Sequence, residues 1–289
     1  MRYWSLSFLL LTGFNLFIWY EVVFGGVVDL NLYFLNVGQG DSELIELPGG
    51  VQILIDGGPD KSVLFELAEV MPSSDRYLDL MVMTHAQTDH FAGFVDVLDR
   101  YKIGAIIITG REGESKTWND FRNLLEEKQI PVILVEAGDK ITYGENLLEV
   151  LSPDQELLAD KEINESSIVL KLESQNIKAL FTGDAGFKTE NYLQSRTSSG
   201  GGQLDVDVLK VAHHGSKYST GANFLAATTP LVSVIEVGKN NYGHPTEATL
   251  SRLKSFGSAI YRTDENGTVR LVIRDGKIAV YPEIHYTSR

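Results

Sequence analysis

One short segment constrains the fold most, because it carries an apolar run straight into a cluster of histidine and aspartate side chains. The run Leu80 to Met83 is typical of the end of a buried strand, and Phe91 to Tyr101 is typical of a helix. The loop between them, T-H-A-Q-T-D-H, holds His85, Asp89 and His90. Zinc and similar metals accept neutral imidazole nitrogen and carboxylate oxygen together. We therefore expect a metal site on this loop, rather than a polar loop with incidental histidines.

Further ligand-type residues follow other apolar runs along the chain. Asp184 comes after Ile177 to Phe181, His213 and His214 come after Val208 to Val211, and His244 comes after Leu231 to Val237. A loop at the carboxyl end of a strand is a usual place for ligands, because the scaffold fixes it while the loop stays open. Asp56 also ends a strand. We interpret it as a structural residue, or as one that orients a ligating imidazole, rather than as a ligand.

Composition limits the possible functions. The chain has 289 residues, which allows one large domain or two small ones. Its net charge of -14 argues against a broad basic surface for nucleic acid. It has no cysteine, which excludes disulfides and thiolate metal sites. Any metal must therefore be held by histidine, aspartate, glutamate or asparagine.

The N-terminal segment is predicted to be a membrane anchor. No charged residue occurs between Arg2 and Glu21, and the apolar stretch reaches the roughly 20 residues that span a bilayer. The basic residue before it and the acidic residues after it favour an N-terminus inside and a domain outside the cytoplasm. We expect residues 1–25 to form a single transmembrane helix and residues 26–289 to form one domain. A cleaved signal peptide and a buried core helix are the alternatives.

Several motifs, taken in their order along the chain, resemble the metallo-β-lactamase superfamily of metallohydrolases: D-G-G, T-H-x-x-x-D-H-x-x-G, T-G-D, H-H-G-S and G-H-P. Within that superfamily, N-V-G-Q-G-D-S, L-F-T-G-D and L-K-V-A-H-H-G-S resemble the soluble domain of the ComEC family of competence proteins. The likeness covers about Leu30 to Tyr281. It implies an α/β (α+β) fold, the αβ/βα four-layer sandwich, with metal at one edge of two facing mixed sheets. The transmembrane helix would precede this sandwich.

The resemblance also implies roles for individual residues. The implied metal ligands are His85, Asp89, His90, Asp184 and His213, for one or two zinc ions, with manganese as the alternative metal. Catalytic roles are implied for Asp89, His214 and His244. The two imidazoles would transfer a proton to the leaving oxygen or stabilise charge on the phosphoryl oxygens. Either His213 or His214 matches the last ligand of the superfamily, and the sequence leaves that choice open.

The chain departs from the superfamily pattern at two positions. Gln87 stands where the superfamily has a histidine, and an amide oxygen is a poor zinc ligand. The middle histidine of the superfamily would fall within Asn164 to Ser167, where none is present. One metal site therefore keeps two imidazoles and two carboxylates. The other keeps only His85 and a share of Asp184.

Two classes of function follow. The first is a membrane-anchored metallohydrolase that acts on phosphodiester bonds, with nucleic acid as the substrate implied by the family and DNA uptake or processing as its setting. The second is an accessory or binding domain that keeps the fold and has weakened catalysis. Hydrolysis of another small ester, such as a phosphorylcholine ester or a lactone, is a further alternative. The acidic charge suits a small substrate better than a long polyanion.

Overall fold

A computed structural model describes residues 11–15, 29–198 and 204–282. None of the helices within those ranges is both long enough and apolar enough to cross a bilayer. The anchor predicted for residues 1–25 lies outside the described residues, apart from a helical segment at 11–15. The anchor therefore stays a prediction.

Two sheets form the centre of the part of the chain that the structure describes. The first has eight strands, namely β1 (Leu30–Phe34), β2 (Glu43–Glu46), β3 (Gln52–Ile55), β4 (Tyr77–Val82), β5 (Lys102–Ile108), β6 (Val132–Leu134), β14 (Val269–Arg274) and β15 (Lys277–Pro282). Their order across the sheet is β15-β14-β1-β2-β3-β4-β5-β6. Strands β3 to β6 run parallel, so their carboxyl ends lie at one edge of the sheet.

The second sheet has seven strands within the described ranges. They are β7 (Lys140–Tyr143), β8 (Asn146–Ser152), β9 (Val169–Ser174), β10 (Ile177–Phe181), β11 (Val208–Lys210), β12 (Val232–Ile235) and β13 (Ala259–Arg262). Their order is β13-β12-β11-β10-β9-β8-β7. Strands β10 to β13 run parallel. This sheet therefore also collects its carboxyl strand ends at one edge.

The two sheets pack face to face over an apolar layer. In β1, Leu32 and Phe34 belong to this layer, whereas Tyr33 packs on the opposite side of the sheet. Successive side chains of a strand point to opposite faces, which explains the division. The ring of Phe34 lies 6.2 Å from the ring of Phe181 in β10, across the layer. Both faces of central strands such as β1, β3 and β12 are covered, so these strands are buried along their whole length, whereas edge strands such as β6 and β15 are partly exposed.

Helices cover the outer face of each sheet. Those on the first sheet are α1 (Ser62–Val70), α2 (Thr88–Arg100) and α3 (Lys116–Glu127), and those on the second are α5 (Phe187–Ser198), α6 (Ala222–Thr228) and α7 (Glu247–Ser255). Short helices α4 (Gln155–Leu158) and α8 (Thr263–Asn266) and two 3-10 turns, Ile163–Ser166 and Ala212–Gly215, lie in the connections. The resulting order of layers is helix, sheet, sheet, helix, and the predicted four-layer α/β sandwich is confirmed.

The prediction was wrong about where α2 begins. The helix was expected to start at Phe91, but it starts at Thr88, because the carbonyl of Gln87 accepts hydrogen bonds from the backbone N–H groups of His90 and Phe91 at 3.0 and 3.2 Å. Asp89 and His90 are therefore in the first turn of a helix rather than on a loop. A carboxylate is favoured there by the helix dipole. The helix also gives both side chains a fixed backbone.

Candidate metal centre

Segments from both halves of the sandwich meet at one edge. In the first half, β4 leads to His85, and the first turn of α2 carries Asp89 and His90. In the second half, β10 leads to Asp184 and β11 leads to His214. Parallel strands present their carboxyl ends at a common edge, which brings these side chains together. Their ligand-type atoms form overlapping groups within 4.8 Å of one another.

Four of these side chains have the separations of a metal coordination sphere. His90 Nε2 lies 3.4 Å from Asp184 Oδ1, and His214 Nε2 lies 3.5 Å from Asp89 Oδ2 and 4.0 Å from Asp184 Oδ1. Two ligands of a tetrahedral zinc ion lie about 3.4 Å apart when each metal bond is about 2.1 Å long. The spacing therefore fits one divalent ion among Asp89, His90, Asp184 and His214.

Hydrogen bonding in this cluster also fits a metal. His90 Nε2, His214 Nε2 and Asp184 Oδ1 are all buried without a hydrogen-bond partner. The other ring nitrogens are occupied, since His90 Nδ1 lies 2.7 Å from Asp56 Oδ2 and His214 Nδ1 lies 2.9 Å from the carbonyl of Glu236. Protons on the two Nδ1 atoms leave both Nε2 lone pairs free for a ligand. Unpaired buried polar atoms are costly, and an ion would satisfy all three.

The buried carboxylates around the histidines stabilise positive charge. Burial alone disfavours an imidazolium, but the charges of Asp41 and Asp184 outweigh it and raise the pKa of His214 to about 10. For Asp184, burial opposes ionisation, yet His90 and His214 hold the pKa of its carboxyl well below the ordinary range. A cluster with such a preference for positive charge suits a divalent cation.

Asp56 holds His90 in place. Its Oδ1 accepts the backbone N–H of Thr84 at 2.8 Å, and its Oδ2 accepts the Thr84 hydroxyl at 2.6 Å besides contacting His90 Nδ1. Asp56 is fully buried. These are the contacts expected of a carboxylate that orients a ligating imidazole, the role that the sequence favours over direct ligation.

An unusual turn presents the two adjacent histidines. His213, His214 and Gly215 all have positive φ, at 52°, 52° and 79°. The turn is braced by the backbone N–H of His213, which donates to the Gly183 carbonyl at 3.2 Å, and by the N–H of Ser216, which donates to the His213 carbonyl at 2.9 Å. Only glycine suits the third position, because a Cβ there would meet the Pro245 ring at 2.6 Å.

This turn separates the roles of His213 and His214. We expected His213 to bind the metal and His214 to transfer a proton, although the sequence leaves that choice open, and the distances favour the reverse assignment. His214 is buried and contacts Asp89 and Asp184. The His213 side chain is 31% exposed, and its Nε2 lies 3.7 Å from the other Asp184 oxygen, Oδ2. His213 belongs to none of the convergent groups, because the turn directs its ring towards the open side of the site.

A buried ion pair behind the histidines was missed from the sequence. Asp41 Oδ1 lies 3.1 Å from His214 Nδ1, and Asp41 Oδ2 accepts a hydrogen bond from Lys210, whose ammonium also donates to the Gly183 carbonyl at 3.0 Å. Burial opposes ionisation of Asp41, but Lys210 and His214 outweigh it and lower the pKa of Asp41 to about 2. Two signals could have revealed the pair. Asp41 follows a glycine loop, and a lysine inside the apolar run V-L-K-V-A requires a buried partner.

Lys210→Met is expected to lower the free energy of unfolding by about 3–5 kcal/mol, because the buried carboxylate of Asp41 would lose the ammonium group that compensates its charge. Urea denaturation of the purified chain measures this. Lys178→Met is the matched control, since Lys178 pairs with Asp205 at 2.9 Å on the surface and should cost about 1 kcal/mol or less. Equal small losses in the two variants would contradict the buried charge pair.

Amide side chains take the place of ligands beside His85. His85 Nε2 contacts Gln87 Oε1 at 3.2 Å, and Gln87 Nε2 donates to Asn164 Oδ1 at 2.8 Å. Asn164 Nδ2 in turn lies 3.4 Å from Asp184 Oδ2. Burial and the neighbouring His90 lower the pKa of His85 to about 3, so its ring is neutral. His85 belongs to a convergent group with His90 and Asp184, as the sequence predicts, but its Nε2 is already bonded to an amide.

A cavity of 590 Å³ opens in front of the cluster. Asp89, Asp184, His213, His214, Tyr242 and His244 are among its lining residues, and none of the lining residues is a lysine or an arginine. The His244 ring lies 5.5 Å from the His213 ring, edge to face. Burial and the nearby His213 lower the pKa of His244, so its imidazole is neutral near pH 7. The predicted site residues are therefore gathered in or beside one cavity.

Two curated proteins are similar over most of this chain. ComE operon protein 3 of Bacillus subtilis (strain 168) is 32% identical over 306 residues, which cover 96% of this chain and 38% of that protein. Recombination protein 2 of Haemophilus influenzae (strain ATCC 51907 / DSM 11121 / KW20 / Rd) is 29% identical over 243 residues, which cover 82% of this chain and 28% of that protein. This chain therefore matches less than half the length of either relative.

A family profile and a solved structure agree with the architecture. The profile described as the metallo-beta-lactamase superfamily matches residues 35–238. The metallo-beta-lactamase fold protein YhfI from Bacillus subtilis superposes with a TM-score of 0.56 at 12% identity, covering 88% of this chain and 100% of that one. The structural likeness establishes the fold, and the profile covers the segment that carries Asp41 through His214.

Proposed function

Since that profile spans more than half of its length, the chain belongs to the metallo-β-lactamase superfamily, and we propose that it is a metal-dependent hydrolase of phosphodiester bonds. The superfamily consists generally of metal-dependent hydrolases. The observation that carries the proposal is the convergence of three unpaired buried atoms, His90 Nε2, His214 Nε2 and Asp184 Oδ1, at the wall of an open cavity.

The metal would be held by Asp89, His90, Asp184 and His214. When bound, a divalent ion polarises a phosphoryl oxygen and lowers the pKa of water. Zinc suits the mixture of two imidazoles and two carboxylates, and manganese is the alternative. One ion would be held tightly. A second would have only His85 and Asp184, with the hydrogen-bonded amides of Gln87 and Asn164 in the way.

Residues of this chain would handle the proton and the developing charge. His213 stands at the edge of the cluster with its Nε2 3.7 Å from Asp184 Oδ2, where it can protonate the leaving oxygen. His244 lies beside it and, as a neutral imidazole, can donate a hydrogen bond to a phosphoryl oxygen. Asp56 and the carbonyl of Glu236 hold the Nδ1 atoms of His90 and His214, which would keep their Nε2 atoms directed at the metal.

Nucleic acid is the substrate that the relatives favour, since their names refer to a competence operon and to recombination. No lysine or arginine lines the cavity, and the chain has a net charge of -14. Tight binding of a long duplex depends on many lysine and arginine contacts to phosphates. A single strand, its end, or a small phosphodiester is therefore the better fit. DNA uptake or processing is the corresponding setting.

The test combines metal content with turnover. Purified protein is analysed for bound metal, stripped with chelator, reloaded with zinc or manganese, and assayed on bis(p-nitrophenyl) phosphate and on a single-stranded oligonucleotide. We expect metal-dependent hydrolysis of at least one of them. Bound metal without turnover of either would replace the proposal with the accessory or binding domain, which the amides of Gln87 and Asn164 favour. Hydrolysis of a lactone or a phosphorylcholine ester, without hydrolysis of either phosphodiester, would indicate instead a hydrolase of another small ester.

We also propose that residues 1–25 anchor the domain, residues 26–289, on the outer side of a membrane by a single transmembrane helix. The uncharged run between Arg2 and Glu21 supports this. The full chain should then fractionate with membranes and resist extraction by carbonate. Recovery of a shortened form in the soluble exported fraction would show a cleaved signal peptide instead.

A further inference from the structure

An exposed tyrosine stands at the lip of the cavity. Tyr242 lines the cavity and is 76% exposed. Within the part of the chain that the structure describes, no other large hydrophobic side chain is more exposed. Its ring lies 5.9 Å from the His244 ring at an interplanar angle of 34°. The rest of the cavity wall near the cluster is made of carboxylates, amides and imidazoles. The ring therefore adds a flat apolar surface to a polar site.

Hydrogen bonds fix the backbone of the loop that carries this ring. The side chain of Asn240 accepts the backbone N–H groups of Tyr242 and His244 at 3.0 and 3.1 Å, and it donates to the carbonyls of Gly238 and His244 at 2.9 and 2.8 Å. The N–H of Gly238 donates to the Gln39 side chain at 3.3 Å. Such a loop keeps Tyr242 in place before any ligand arrives, which reduces the entropy lost on binding.

Two aromatic contacts connect this ring to the metal cluster. A step of 5.9 Å leads from Tyr242 to His244, and a step of 5.5 Å leads from His244 to His213. His213 Nε2 is then 3.7 Å from Asp184. Tyr242 and the cluster also line the same cavity, so a strand with a phosphodiester at the cluster would have a base beside the tyrosine ring.

The charge of the cavity does not suit the binding of a nucleic-acid strand through lysine and arginine contacts to its phosphates. Asp89, Glu162 and Asp184 line the cavity, and no lysine or arginine does. Phosphates outside the metal cluster would find no cation in the cavity wall. Aromatic stacking is a source of affinity that needs no lysine or arginine, because each base has an uncharged face.

We propose that Tyr242 is a platform on which the base next to the scissile phosphate stacks, so that the site takes unpaired nucleotides. This rests on the proposed phosphodiesterase function and adds its specificity-determining residue. Paired bases already stack on their neighbours and offer no free face to a side chain. The site therefore selects single strands or strand ends, and its affinity depends little on salt.

The test compares two oligomers of equal charge, a thymidine pentamer and a pentamer of abasic sugars with the same phosphates. Binding to the zinc-loaded full chain is measured by fluorescence anisotropy, and hydrolysis is measured separately. Stacking contributes about 1–3 kcal/mol per base, which corresponds to about 5- to 150-fold in Kd. Tyr242→Ala should weaken binding of the thymidine pentamer by that factor and leave the abasic pentamer unchanged. Tyr242→Phe and Tyr242→Trp should bind the thymidine pentamer like the unaltered protein.

Tyr218→Ala is the matched control, since Tyr218 is also exposed, at 63%, but does not line the cavity. It should bind both oligomers normally. Unchanged binding of the thymidine pentamer by Tyr242→Ala, equal weakening for both pentamers, or no binding of either pentamer by the unaltered protein would overturn the platform. A base-dependent Kd without any hydrolysis would support the platform and overturn the phosphodiesterase. Hydrolysis that does not depend on Tyr242 would support the phosphodiesterase and overturn the platform.

Discussion

Asp184→Ala is expected to remove nearly all metal from the purified protein. Asp184 Oδ1 faces both His90 Nε2 and His214 Nε2, so its loss would take one of only four ligands and the contact that the two imidazoles share. Losing a hydrogen-bond partner of a metal ligand weakens binding by about 10- to 100-fold, and losing the ligand itself should exceed that. Asp89→Ala should have the same effect. Metal content by elemental analysis and Kd by chelator competition provide the measurements.

Glu162→Ala supplies the control, because Glu162 lines the same cavity but belongs to none of the convergent groups. It should keep its metal. The unaltered protein should hold about one ion tightly. Two firmly bound ions would show that the amides of Gln87 and Asn164 yield to a second metal. An Asp184→Ala variant that still holds its ion would disprove the proposed site.

His214→Ala is expected to lose bound metal, whereas His213→Ala is expected to lose catalytic activity. His214→Ala should lose the metal, because His214 Nε2 is buried, unpaired and directed at Asp89 and Asp184. His213→Ala should keep the metal and lose about 10²- to 10⁴-fold in kcat, the usual contribution of a general acid or base. Metal content and kcat measured on the same preparations separate the two. Metal loss in His213→Ala alone would restore the assignment made from the sequence.

The sequence predicts the elements that carry most of the candidate site because the chemistry follows buried strands. Apolar runs located β4, β10 and β11, and polar residues after such runs located Asp89, Asp184 and the histidine pair. What the sequence could not decide depends on backbone angles. The choice between His213 and His214 follows from two successive residues with φ of 52°, for which the residue types give no indication.

The sequence also could not show which distant segments contact each other, even where a residue such as Lys210 signals that it needs a buried partner. Asp41 and Lys210 are separated by 169 positions, and each alone fits an ordinary local role, a turn residue and a strand residue. Only the packing of the two sheets brings them together. The start of α2 was misplaced for a related reason. Thr88 and Asp89 favour the beginning of a helix, but polar residues before an apolar stretch are equally typical of a loop.

The proposed metal ligands come from both halves of the sandwich, and this affects the stability of the folded chain. Asp89 and His90 belong to the half built on the first sheet, and Asp184 and His214 belong to the half built on the second. An ion between them would add a cross-link between two halves that adhere through apolar side chains and through the buried pair of Asp41 and Lys210. A ligand present at 100 times its Kd stabilises the folded chain by about 2.7 kcal/mol. Metal supply would therefore raise the free energy of unfolding of the whole sandwich as well as support its activity.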